Sequence, residues 1–234
     1  MHKNSLTDEG IGYTVGFIVI VLFCLFIYKL VSNKKHKDEI SHYCQQNGLK
    51  YTETAIYIPD CSIKFNLTNS GKNQEFTNFM AGNRNEYEFQ IFDFCFYVET
   101  INSRFPDQKH DDEYNSTMCL LRKKGKQLPA MYFLDKELFD ADKDLLPKIE
   151  NLHDIELDGK ESDEKIIVRS RNETEARQLF SGQRLDYIKS SFMQDFKYEI
   201  QGEYLLVSAT DTISVKERLN LLDNSIKMFE AISN

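Results

Sequence analysis

The run YEFQIFDFCFYVE, Tyr87–Glu99, decides the fold. By a period of two, Phe92, Phe94, Phe96 and Val98 fall on one face and Phe89, Ile91, Asp93, Cys95 and Tyr97 on the other. Both faces are largely apolar, so this strand belongs in the interior of a sheet, covered on both sides. Asp93 interrupts the second face. A carboxylate among aromatic rings has to be paired, hydrogen-bonded or protonated. The expectation is an ion pair with an arginine such as Arg122 or Arg169, or bonds from backbone N–H groups. A shifted acid in a pocket is the functional reading of the same residue, which makes Asp93 the candidate catalytic position.

Working outward, TMCLLR (117–122) and QLPAMYFL (127–134) flank KKGK and read as a hairpin. Pro129 removes a ladder donor, which puts its strand at an edge or gives it a bulge. HDIEL (153–157) and KIIVRS (165–170) read as two short strands, and FKYEIQGEYLLVSA (196–209) as a tight hairpin turning near Gly202. The polar stretch 59–86 reads as irregular, with a short strand at Ile63–Leu67, and SRFPDQKHDDEYN (103–115) as a charged loop. Asn172 with Glu175, and Ser214 with Glu217, carry capping-box spacing at two helix starts. Gly182 is placed to break the first of these helices. Val215, Leu219, Leu222, Ile226 and Phe229 form one stripe on the second. The sum is an α+β fold: a mainly antiparallel sheet with two or three packed helices.

The other decisive stretch is IGYTVGFIVIVLFCLFIYKLV, Ile11–Val31, whose one charge, Lys29, lies near its end. About 20 helical residues cross a hydrocarbon core of about 30 Å. The segment predicts one transmembrane helix, with lipid as the partner of residues 11–31. Tyr13 and Tyr28 stand where rings settle at the two interfaces. Lys29, Lys34, Lys35 and Lys37 follow the span and place that side in the cytoplasm by the positive-inside rule. The flanks lack an A-x-A-like cleavage site, so the anchor is expected to be uncleaved. The organisation expected is an external tail (1–10), the span (11–31), a basic linker (32–37) and a cytoplasmic domain (38–234). KDEISHYCQQNGL (37–49) reads as a short amphipathic helix closing at Gly48.

Residues 1–37 carry five lysines against Asp8 and Glu9, so residues 38–234 hold about −11 of charge within a chain of net −8. That excludes nucleic acid as a natural partner. With no second long apolar run, the domain is expected to be soluble once the anchor is removed. The five cysteines, Cys24, Cys44, Cys61, Cys95 and Cys119, show no C-x-x-C and suit reduced thiols. Sequons at Asn66, Asn115 and Asn172 are no more than composition produces by chance.

The order of these pieces resembles a group of uncharacterised bacterial proteins with an N-terminal membrane anchor and one cytoplasmic α+β domain. The resemblance is carried by Gly48-Leu49, Phe92-Asp93-Phe94, Leu128-Pro129, Phe133-Leu134, DIEL (154–157), EARQLF (175–180) and YEIQGEYLLV (198–207). It implies the architecture and the anchor, and no activity; the location expected is the cell (inner) membrane.

No cofactor or metal is expected. DADKD (140–144) lacks the glycine and the glutamate of a calcium loop, since Leu145 and Asn151 stand there. HDDE (110–113) has no second cluster at a fixed offset. G-x-S-x-G, P-loop and dinucleotide fingerprints are absent from the sequence. The function expected is a membrane-tethered interaction or ligand-sensing module with an unidentified protein partner. The alternative is an anchored, hydrolase-like enzyme with its site near Asp93.

Overall fold

The computed structural model describes residues 8–61, 63–69, 71–101, 109–142, 152–155, 166–193 and 195–233. Helix α1 (Asp8–Gln46) is a single run of 39 residues. The segment read as a basic linker, 32–37, and the short helix read at 37–49 are both parts of it. Nothing between Val31 and Asp38 breaks a helix: the stretch holds neither proline nor glycine. The helix stops at Gly48, whose φ of 65° suits a residue without a side chain, and the Leu49 N–H donates to the Cys44 carbonyl at 2.9 Å.

Among the described residues nine strands follow: β1 (Lys50–Ala55), β2 (Lys72–Arg84), β3 (Tyr87–Ile101), β4 (Lys109–Arg122), β5 (Leu128–Asp135), β6 (His153–Ile155), β7 (Ile166–Ser170), β8 (Phe196–Gly202) and β9 (Tyr204–Ala209). The helices among and after them are α2 (Lys136–Asp142), α3 (Glu173–Leu179), α4 (Gly182–Ser191) and α5 (Val215–Ser233). All strands join one antiparallel sheet in the order β1-β2-β3-β4-β9-β8-β5-β7-β6. The fold is α+β.

As expected, β3 is interior and covered on both faces. Phe89 and Ile91 join the core under α1, α3, α4 and α5. Phe92 and Phe94 join a second core, covered by Ile58, Phe65 and Leu67 and by Leu138 and Phe139 of α2. That covering loop is pinned by the buried Glu199 of β8. Its carboxylate accepts from the backbone N–H groups of Asn66 and Leu67, each at 2.9 Å, and from Asn66 Nδ2 at 2.7 Å. Burial raises the Glu199 carboxyl above its ordinary range, although these donors pull it down.

Four expectations about local structure need correction. The runs 117–122 and 127–134 do not pair with each other, because the β8–β9 hairpin lies between β4 and β5. Every residue of β9 is buried, as are Tyr198, Glu199 and Ile200 of β8, so both strands need a neighbour on each side. Pro129 accordingly sits in an interior strand, and the bulge expected as the alternative to an edge is present there, at the β5–β8 register shift between Leu128 and Met131. The stretch 59–86 contains the long strand β2, and Ile63–Leu67 is loop. The period-two signal of β2 is broken by its own irregularities: the register shifts between Thr77 and Met80, and Asn78 has a φ of 55°. Finally, 109–115 belongs to β4, whereas 102–108 lies outside the described residues.

The helix starts match the capping-box reading. The Asn172 side chain accepts from the Glu175 N–H at 3.2 Å, and Ser214 and Glu217 bond reciprocally. Phe133 anchors the core under the helices. Its ring stacks on Tyr198 with centroids 4.7 Å apart and meets Phe180 edge-on at 5.4 Å. Phe133→Ala should therefore cost about 3–5 kcal/mol, read as a lowered urea midpoint with an unchanged slope.

Candidate functional site

Asp93 lies 6% exposed on the helix-covered face of β3. Its partner is neither Arg122 nor Arg169 but Arg218, a fully buried residue of α5 whose Nη2 donates to Asp93 Oδ1. The same oxygen accepts from Thr117 Oγ1 of β4 at 2.8 Å. The other oxygen accepts from Asn78 Nδ2 of β2 at 2.9 Å and faces His36 Nε2 of α1 at 3.4 Å. His36 Nε2 is also 3.4 Å from Arg218 Nη2, so the ring finds a partner either as acceptor or as donor. Arg218 completes its set by donating to the Ile213 and Asn78 carbonyls, each at 3.4 Å. The Thr117 hydroxyl in turn accepts from the Ile213 N–H at 3.0 Å.

Burial alone would push the Asp93 carboxyl up. The bond from His36, the Arg218 charge, and the bonds from Asn78 and Thr117 outweigh it and hold the carboxyl below its usual range. Asp93 is thus ionised, with both oxygens occupied. Such a carboxylate fixes geometry: Oδ1 accepts from Arg218 and Thr117, and Oδ2 from Asn78.

The two arginines named from the sequence are engaged elsewhere. Arg122 bonds Glu203 at 3.0 Å and lies over the Tyr204 ring, and Arg169 bonds Asp154 and lies over Phe139. The His36, Asn78, Thr117 and Arg218 positions were missed. Two of them carry a readable signal. Arg218 follows Val215 by three residues and precedes Leu222 by four, so it stands inside the apolar stripe of α5. His36 precedes Ile40 and Cys44 at intervals of four, on the stripe of α1 that docks on the sheet.

This network forms part of the wall of a polar cleft of about 600 Å³ between α1 and the sheet, so Asp93, with His36 at 3.4 Å, does stand in a pocket. Thr54, Thr77, Asn115 and Thr212 face it, as do Ser32 and Asn33 of the helix. Its charged rim is internally paired: Lys37 with Glu53, and Lys29 with Glu113 at 3.9 Å. Lys35 pairs with Glu39 along the helix at 3.9 Å, while Lys34 and Tyr28 are exposed. Tyr13 lies in α1, with its side chain outside the described residues.

The remaining candidates do not converge. On β4, His110 and Asp112 point to one face while Asp111 and Glu113 point to the other, so HDDE cannot close around one ion. Only residues 140–142 of DADKD are described, at the end of α2. Among the described residues no group of three or more metal-binding side chains comes together. Burial pushes the Cys119 thiol up to about 12, and also raises Cys44, against the opposing charge of Arg218. Neither is an activated nucleophile.

Fold and site together define a class: an α+β sheet domain carried on one long N-terminal apolar helix, with a polar cleft where the two meet. No protein-family model and no curated protein matches the sequence. Among solved structures the chain is similar to the crystal structure of the mycobacterial trehalose monomycolate transport factor A, TtfA. The TM-score is 0.59 and the identity 12%, over 84% of this chain and 93% of that one. At that identity the similarity is one of fold.

The network generates a stability prediction. Asp93→Ala leaves Arg218 buried without its counter-charge and should cost about 3–5 kcal/mol, and Asp93→Asn less. The Asp93 carboxyl is depressed in the fold, so its contribution is complete above the unfolded value of about 3.9 and is lost as pH falls through the folded one. Thermal melts of the detergent-solubilised chain should show the parent weakening below about pH 4 more steeply than Asp93→Asn.

Proposed function

We propose that this protein is a single-pass, membrane-anchored module without catalytic chemistry of its own, serving a membrane transport process through a protein partner. Residues 11–31 lie in the bilayer of the inner membrane and 32–37 at the headgroups. The tail, 1–10, is outside, and the domain, 38–234, is in the cytoplasm. The observation that carries the reading is the clasp itself. The described part of the candidate span is wholly exposed, yet the same helix continues without a break into a buried ion network of the domain. That construction holds a surface at a fixed pose above a membrane, and an occupied Asp93 supports a binding module over a hydrolase. The fold shared with a trehalose monomycolate transport factor supports the transport setting.

The cleft is the working surface. A photo-crosslinking side chain at Asn33, which lines the cleft, should give a discrete protein adduct in intact membranes. The same group at Lys124, an exposed turn residue, should not. Equal adducts from both sites, or none from Asn33, overturn the assignment of the cleft.

Sidedness needs an exposed reporter, because Cys119 is fully buried and would resist labelling on either side. In intact cells a membrane-impermeant maleimide should label an engineered cysteine at Ser5 and spare one at Lys124. The opposite pattern would reverse the orientation.

A further inference from the structure

Strands β3 and β4 outrun their neighbours. Their ladder continues to Ile101 and Lys109, whereas β2 leaves β3 at Tyr97 and β9 leaves β4 at Met118. Beyond Thr117, whose N–H donates to the Asp211 carbonyl at 3.0 Å, β4 is an edge strand. Parity says which of its groups face outward, because backbone groups alternate between the two sides of a strand. Thr117 turns its N–H away from β3. The His110 carbonyl is turned toward β3, where Thr100 Oγ1 donates to it at 3.4 Å. The register between those two positions is unbroken. Asp111, Glu113 and Asn115 share the parity of Thr117, so their N–H and C=O groups stand on the open edge. None of these backbone groups is bonded among the described residues. The edge is also one lip of the polar cleft, which Glu113 and Asn115 line.

We infer that this edge takes up an extended, lysine- and arginine-rich segment of the protein partner as an added strand. The inference rests on the reading of the cleft as the surface that the partner engages. A row of outward N–H and C=O groups is a template for strand addition. The side chains along it select the occupant. Asp111, Asp112 and Glu113 stand against one lysine of the same stretch, Lys109, which is bonded to Glu99 at 2.7 Å. A second copy of this edge would set like charges opposite each other, which is unfavourable, whereas a strand of alternating cations meets its opposite charge. The counter-charges already there are Lys72, 2.8 Å from Asp111, and Lys29, 3.9 Å from Glu113. Both are exposed pairs of little strength and yield to an incoming strand. On the other face, a row of rings from Phe76 through Phe94 and Phe96 ends on Tyr114, at the edge itself. An apolar side chain of the added strand extends that row. The matching segment therefore alternates basic and apolar residues.

The probe is the peptide Lys-Val-Lys-Val-Arg-Val-Lys, capped at both ends and fluorescently labelled, read by anisotropy against the detergent-solubilised full-length chain. It should bind, and Glu-Val-Glu-Val-Glu-Val-Glu should not. Two further peptides are N-methylated, one at the valines and one at the basic residues, so that each lacks the donors of one strand edge. At least one of them should bind about tenfold or more weakly than the parent peptide. Glu113→Pro removes an outward N–H and leaves the β3 ladder whole, since proline is tolerated where the N–H faces away from the sheet. It should bind the parent peptide about tenfold more weakly than Glu113→Gln, which loses the same charge but keeps the N–H. If Glu113→Pro fails to fold, the N-methylated peptides decide. Undiminished binding of both N-methylated peptides means charge attraction without strand addition and refutes the inference, as does no binding of the parent peptide. A dimer of the parent chain that Glu113→Pro dissociates gives the edge to a second copy and also refutes it. In intact membranes the Asn33 photo-adduct should be weaker in Glu113→Pro than in Glu113→Gln. Equal adducts in the two leave the cleft reading standing and refute strand addition. No Asn33 adduct in the parent chain overturns the cleft reading and this inference with it.

Discussion

The buried pair of Asp93 and Arg218 is the constraint on which the rest depends. Two charges removed from water cost several kcal/mol each unless their geometry and remaining hydrogen bonds offset it. Here the compensation comes from six places in the chain: α1, β2, β3, β4, the segment at Ile213, and α5. None of these can shift by a residue without leaving a buried charge short of a partner. An apolar cluster at the same spot would tolerate sliding, because dispersion and area burial are non-directional. The ion network therefore sets the position of α1 against the sheet, while the surrounding core supplies the bulk of the burial.

Because His36 belongs to that network, the clasp reaches the anchor. The stripe of α1 that docks on the sheet, His36, Ile40 and Cys44, begins within about two to three turns of Tyr28. Over that distance the helix passes from its exposed apolar run to contacts with the sheet as one continuous element. A cut at residue 38 would remove His36 from Asp93. Beginning at Ser32 keeps the network whole, so the structural boundary of the domain falls inside the basic segment rather than after it.

The sequence made the sheet legible where its period was clean. Tyr87–Glu99 alternates without interruption and was readable as an interior strand. The β8–β9 hairpin was readable from an alternating run before Gly202 and an apolar run after it, and the starts of α3 and α5 from their caps. β2 was illegible because its bulge puts Phe76 and Phe79 three residues apart, and a strand read by twos cannot show that. The same bulge makes the site: Asn78, in a left-handed conformation, is the residue that turns its amide to Asp93. Asp93 itself was legible as a buried carboxylate, but its partner was not. Arg218 is 125 positions away, and only the tertiary arrangement selects it from the chain's arginines. Strand order was beyond reach for a related reason. The short connection from β4 to β5 serves a hairpin or a step across two intervening strands, and the choice is made by β8 and β9, far along the chain.

An unbroken helix also fixes how the domain responds to the bilayer. With a flexible linker, the tilt of the span and the pose of the domain would be independent. With α1 continuous and clasped, they are one motion. A tilt of about 20°, ordinary for a single span, moves a group about 10 Å from the helix axis by about 3 Å along the membrane normal. Asn33 and Thr54, on the two walls of the cleft, are then held at a set height and azimuth over the membrane. On the proposed reading, a partner in the same bilayer would meet them in one orientation, without first having to restrict a swinging domain.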